Sequence, residues 1–139
     1  MNEKWEARFL DVARLVASWS KEERSKVGCV LVDAKKNIVA TGYNGFPRGV
    51  KDSVARRADR AAKLAITLHA EENALLAAGA RAEGCVAFVT HPPCSNCAAK
   101  LVQSGVLEVV YLPGACSLTR SGLTVAHSVS KFCAKRALQ

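Results

Sequence analysis

Aromatic side chains are scarce in this chain, at 6% of 139 residues. With so few, its loops offer no platform on which a single strand of nucleic acid could stack, which argues against a polymeric partner. Long apolar runs are missing as well. None approaches the roughly 18 residues needed to cross a bilayer, so no membrane association is expected. Residues 1–6 carry two acids and two other polar groups and no apolar core, so no secretory leader is expected at this end. No run of five or more basic residues occurs, so a basic arm for nucleic acid is not indicated. Internal repeats, low-complexity tracts and linkers are also lacking.

What is present suits one folded domain spanning 1–139. Half the residues are apolar and only 23% are charged, which provides a core and excludes disorder. The net charge is +8, from 20 basic and 12 acidic residues. That balance favours anionic partners such as phosphorylated metabolites. Six cysteines stand at 29, 85, 94, 97, 116 and 133. Without a leader they are expected to be reduced thiols in the cytoplasm (the host's, for a viral protein). Cys29 and Cys85 lie in strand-like runs, which leaves Cys94 and Cys97 for metal or redox chemistry.

Helical and strand patterns alternate along the chain. Trp5, Phe9, Val12, Ala13, Val16 and Trp19 recur at three- and four-residue steps, which predicts a helix over 3–19. Residues 27–32 and 38–43 read as strands joined by a turn at 33–37, a hairpin. Residues 44–57 read as a loop, and 58–66 as helix-like or irregular. A helix over 69–78 closes at Gly79. A strand at 85–90, a helix at 95–104, a strand at 106–112 and a last helix at 122–137 follow. A hairpin followed by β-α-β crossovers predicts an α/β fold, with a mixed sheet carrying helices on both faces.

The chemistry gathers in two places. His69-Ala70-Glu71 comes first, and Pro93-Cys94-Ser95-Asn96-Cys97 follows. Cys94 and Cys97 are three apart, so at the start of a helix both sulfurs share one face. His69 and Glu71 are two apart, about 200° around a helix, and diverge in a helix interior. They converge only at the extreme N-terminus, with Thr67 as a plausible cap. Two positive helix ends would then face one metal and favour its thiolate ligands. One His and two Cys suit Zn²⁺, and three protein ligands leave a fourth position for water. A CxxC alone reads equally as a redox pair or half a zinc knuckle, and an HAE alone is weaker still. Together they match the H-x-E…P-C-x-x-C pattern of zinc deaminases, with Glu71 as the proton carrier.

Beyond those motifs, the chain resembles the deoxycytidylate (dCMP) deaminase family of the cytidine deaminase superfamily. The resemblance rests on SKVGCVLV at 25–32, GYNGFPRG at 42–49, HAEENA at 69–74 and THPPCSNCA at 90–98. Ser104-Gly105 and EVVY at 108–111 extend it. It implies a three-layer α/β/α fold and one Zn²⁺ held by His69, Cys94 and Cys97. It also implies hydrolysis of dCMP to dUMP and ammonia, within the supply of dTTP. Glu71 would move a proton from water to N3 of the base and then help ammonia leave. Asn44 matches the residue that bonds the sugar hydroxyl. A backbone carbonyl at His91 or Pro92 would accept from the leaving amino group. For the 5′-phosphate, Arg24, Ser25 and Lys26 are the first candidates and Arg48 the next. Tyr111 stands near the expected cleft, equally placed for its rim or for the core. His91 reads as a neighbour of the ligands, and His127 as a surface residue.

Many members of that family are hexamers activated by dCTP and inhibited by dTTP. The resemblance therefore implies a homo-oligomer, hexamer or dimer, with Gly42, Tyr43 and Gly45 as effector contacts. Mg²⁺ would enter only with a triphosphate effector. Residues 50–68 hold no Cys or His, so no second zinc is expected. The family usually adds a fifth strand after its last helix. Here four strands are expected, five at most, with the open edge filled by a partner. Deaminases of other bases, of tRNA or of single-stranded DNA on the same scaffold are the alternative, and a zinc-stabilised module without activity is another.

Overall fold

The computed structural model describes residues 1–51, 53–112 and 116–119. Asn2 starts the first helix by accepting the Trp5 N–H on its side chain at 3.1 Å. Helix α1 (Glu3–Ala17) turns Phe9, Leu10, Ala13 and Val16 inward. Strand β1 (Gly28–Val32) and strand β2 (Ile38–Tyr43) form the expected antiparallel hairpin. Asp33 shapes its turn, accepting the N–H groups of Lys35 and Asn37 at 2.9 Å each.

Two short helices follow. Ser53 caps α2 (Val54–Ala58) and Asp59 caps α3 (Arg60–Ile66). Residues 54–57 were expected to be loop, and 58–66 helix-like or irregular. The Ser53 side chain overrides that expectation by accepting the Arg56 N–H at 3.2 Å. Helix α4 (Ala70–Ala78) ends at Gly79, in a positive-φ conformation as expected. Strand β3 (Val86–Val89), helix α5 (Ser95–Gln103) and strand β4 (Glu108–Tyr111) complete a parallel crossover.

The sheet runs β2-β1-β3-β4-β5, with β5 (Cys116–Thr119) antiparallel to β4. Four strands were expected, five at most; the fifth, β5, occupies the edge beside β4. Four residues of mixed polarity carry too little alternation to announce a strand, and the pairing with β4 creates it. The helix expected at 122–137, with His127, lies outside the described residues. Among the described residues no helix is long and apolar enough to cross a membrane.

Alternation along the strands builds the three layers. Val30, Val32, Phe88 and Val110 pack on one face against Phe9, Leu10, Ala13 and Val16 of α1. Cys29, Leu31, Ala87, Val89 and Val109 pack on the other face against α4 and α5. Ala70, Ala74 and Ala78 form a small-residue stripe on α4 that lets it lie close to the sheet. The contact is tightest at Gly42 of β2. A Cβ there would stand 2.3 Å from the Ala70 carbonyl oxygen and 2.4 Å from the Ala74 nitrogen. Gly42 therefore fixes how deep the start of α4 sits, and with it His69 and Glu71. Gly42→Ala should lower the free energy of unfolding by about 1–3 kcal/mol or more, through overpacking against backbone. Urea denaturation measures this, and an unchanged midpoint contradicts the packing argument.

Candidate metal centre and substrate cleft

His69 is the residue just before α4, in extended conformation at φ −76° and ψ 158°. Cys94 holds the same position before α5, at φ −72° and ψ 169°. Glu71 and Cys97 follow within the first turns. The cap of α4 is thus His69 itself. Thr67, expected to be that cap, instead ends α3. His69 Nδ1 lies 3.6 Å from Cys94 Sγ and 3.3 Å from Cys97 Sγ. All three donor atoms fall within 4.8 Å of one another. A tetrahedral zinc with bonds of about 2.3 Å to sulfur and 2.0 Å to nitrogen needs N···S separations of about 3.5 Å. Both the donor set and its spacing fit such an ion.

Two contacts hold the helix ends together. The His69 N–H donates to Glu72 Oε1 at 3.0 Å, and Lys100 of α5 donates to the other oxygen of the same carboxylate. These partners hold the Glu72 carboxyl below its ordinary value against the opposing effect of burial. Glu72 and Lys100 were missed in the sequence. The signal was legible for Glu72, an acid three residues after a helix start. For Lys100 there was none. The far side of His69 is fixed by Leu68, whose N–H and C=O exchange bonds with Gly45 at 2.8 and 3.1 Å. Asn73 Nδ2 donates to the Tyr43 carbonyl at 2.8 Å.

Burial and mutual contacts shift the proton affinities of these groups. Burial raises the pKa of Glu71, which is 4% exposed, while its contact with Cys97 opposes the shift. Cys97 donates towards Cys94. That contact, with His69 beside it, holds the Cys94 thiol down to about 3. The same contact and burial push Cys97 up. A bound dication reverses the Cys97 shift, because a coordinating thiol is deprotonated. The Cys94 sulfur also raises the His69 imidazole.

A cleft of about 240 Å³ opens over these groups, lined by His69, Glu71 and Cys94 together with Ser25, Asn44, Thr67, His91 and Pro92. Asn44 is 9% exposed and clamps the chain entering β1: Oδ1 accepts the Val27 N–H at 2.8 Å and Nδ2 donates to the Ser25 carbonyl at 2.7 Å. Other expected contacts lie elsewhere. Arg24 lines a separate cavity of about 410 Å³ with Arg57, Arg60 and Lys63. It is the larger of the two, yet it contains none of the metal-ligating groups. Lys26 and Arg48 are exposed and do not line the cleft. Tyr111 is 1% exposed and belongs to the core, away from the cleft lining. Gly42 is packed under α4, Gly45 pairs with Leu68, and Tyr43 meets Trp19 edge-on with ring centroids 6.2 Å apart.

An α/β/α sandwich with a His-Cys-Cys cluster at two helix ends and a buried glutamate beside it defines a zinc-dependent deaminase. The chain belongs to the cytidine and deoxycytidylate deaminase zinc-binding family, whose family model matches residues 3–113. It is 50% identical over 113 residues to a deaminase of the luxG 3′ region of Aliivibrio fischeri, covering 81% of this chain and 75% of that one. It is 36% identical over 115 residues to human deoxycytidylate deaminase, covering 78% of this chain and 65% of the human one. The dCMP deaminase of cyanophage S-TIM5, solved with dCMP and dUMP, superposes with a TM-score of 0.67 at 30% identity. That match covers 80% of this chain and 82% of the phage chain. The chain spans 36% of the fission yeast deoxycytidylate deaminase and 55% of the nematode one.

Two outcomes test this site. Glu72→Ala should weaken zinc binding roughly 10- to 100-fold by freeing both helix ends, as competition with a chromogenic chelator will show. In metal-stripped protein, Glu71 should cost stability as pH rises above its ordinary value, because the unfolded chain gives up that proton first. Thermal melts should show this slope in the difference between wild type and Glu71→Gln, and a difference of opposite sign contradicts the assigned burial effect.

Proposed function

We propose that this chain hydrolyses dCMP to dUMP and ammonia, supplying uridylate for thymidylate synthesis. The observation that carries the reading is the buried Glu71 carboxylate beside His69, Cys94 and Cys97 at the floor of an open cleft. The phage relative solved with dCMP and dUMP supports the choice of nucleotide. Zinc, held by those three ligands, supplies the Lewis acid that makes water nucleophilic near neutral pH.

Glu71 does the proton work. Its raised pKa makes it a proton carrier that can take one proton from the attacking water and hand it to N3, then take the second from the new C4 hydroxyl and hand it to the departing amino group, which leaves as ammonia. Burial keeps bulk water from competing for that proton. A carbonyl at His91 or Pro92, both of which border the cleft, would accept from the amino group. Asn44 and Ser25 line the same cleft and are the candidates to orient the sugar. Of the four candidates for the 5′-phosphate only Ser25 lines the cleft; Arg24, Lys26 and Arg48 do not.

Regulation and assembly follow the same reading. A homo-oligomer, hexamer or dimer, belongs to that reading, as does dCTP or dTTP acting at Gly42, Tyr43 and Gly45, and one contact supports the effector role. The Gly45–Leu68 bridge ties that segment directly to the residue before His69.

A deamination screen over dCMP, CMP, dCTP, deoxycytidine, guanine and single-stranded DNA tests the proposal. Turnover of dCMP is expected, and conversion of polymer alone overturns the assignment. Glu71→Gln should keep stoichiometric zinc and an unchanged fold while losing at least about 100-fold in turnover.

A further inference from the structure

One buried side-chain oxygen in the cleft lining has no hydrogen-bond partner among the described residues. It is Oγ1 of Thr67, which lines the cleft beside Asn44 and Glu71. Such a hydroxyl destabilises a fold, and natural structures keep few of them. The backbone does not explain it. Thr67 ends α3 in extended conformation, at φ −72° and ψ 123°, and its own N–H is satisfied by the Lys63 carbonyl at 2.9 Å. A valine would fit the same backbone and remove the orphaned oxygen.

The neighbouring wall is already committed. Asn44 spends one bond at each end of its amide on the chain between Ser25 and Val27. Thr67 spends none. The residue is only partly buried, so its side chain is shared between the packed interior and the cleft. A 120° rotation about Cα–Cβ carries the hydroxyl to another staggered position, from which it can reach the cleft that Thr67 lines. The flanking chain holds the pivot still, since Leu68 is bonded in both directions to Gly45.

We propose that Thr67 is a substrate-reading residue whose hydroxyl finds its missing partner on the bound pyrimidine nucleoside. The proposal rests on the reading of this cleft as a nucleotide site. The hydroxyl both donates and accepts, so it can meet either a carbonyl of the base or a hydroxyl of the sugar. The free protein carries an unsatisfied group that only the correct ligand satisfies, which is a source of discrimination as well as affinity.

Steady-state kinetics on dCMP with wild type, Thr67→Val and Thr67→Ser test it, alongside thermal melts without nucleotide. Thr67→Val should raise KM about tenfold, the effect of one lost hydrogen bond, with kcat within about twofold. Its melting temperature should equal or exceed that of wild type, because the orphaned oxygen is gone. Thr67→Ser should restore KM to within about twofold. A KM for Thr67→Val within twofold of wild type, or a Thr67→Ser variant as impaired as Thr67→Val, overturns the proposal while leaving dCMP turnover by wild type intact. Wild type inactive on dCMP sinks the underlying reading and this proposal with it.

Discussion

The structure depends on two helices that begin at the same point in space. α4 and α5 each start from an extended residue that is itself a donor, His69 and Cys94. A metal ligand just ahead of a helix looks along the axis, where unpaired N–H groups give the end a positive potential. That potential favours thiolate at Cys94 and Cys97. The ligands converge because the helices do, and the helices converge because both lie on the same face of the sheet.

Small residues set the distance. Ala70 and Ala74 against Gly42 bring α4 close enough to the sheet for its first turn to meet that of α5. Glu72 then joins the ends, accepting from the His69 N–H and from Lys100. A partly exposed ion pair of this kind adds little to stability. Its value is positional, since it ties a ligand's backbone to the helix carrying the other two ligands. The cleft above is formed from other parts of the chain, with Asn44 after β2 and Ser25 before β1 joined by the Asn44 amide.

Glu71 shows how one placement serves chemistry. At the second position of α4 it points to the metal cluster, and burial holds its proton affinity above that of an exposed glutamate. A group bound to the metal would lose that capacity, and a group in water would lack the shift. Its position beside the cluster, and not among the three ligands, gives it both.

The residue types and spacings of H-A-E and P-C-S-N-C determined the metal centre, because two cysteines three apart at one helix start and a histidine at another have few other ways to share an ion, with a carboxylate two residues on left beside it. Periodicity likewise determined α1, the hairpin, α4, β3, α5 and β4, where local pattern and tertiary burial agree. Tertiary structure alone decided the rest. Tyr111 has an apolar body and a polar tip, and only its place on an inner strand assigned it to the core. Arg24 and Ser25 are adjacent in sequence yet line different cavities. Strand β5 exists through its pairing with β4, and Lys100 matters through a carboxylate 28 residues away. These outcomes are set by packing and pairing in three dimensions, and no local propensity encodes them.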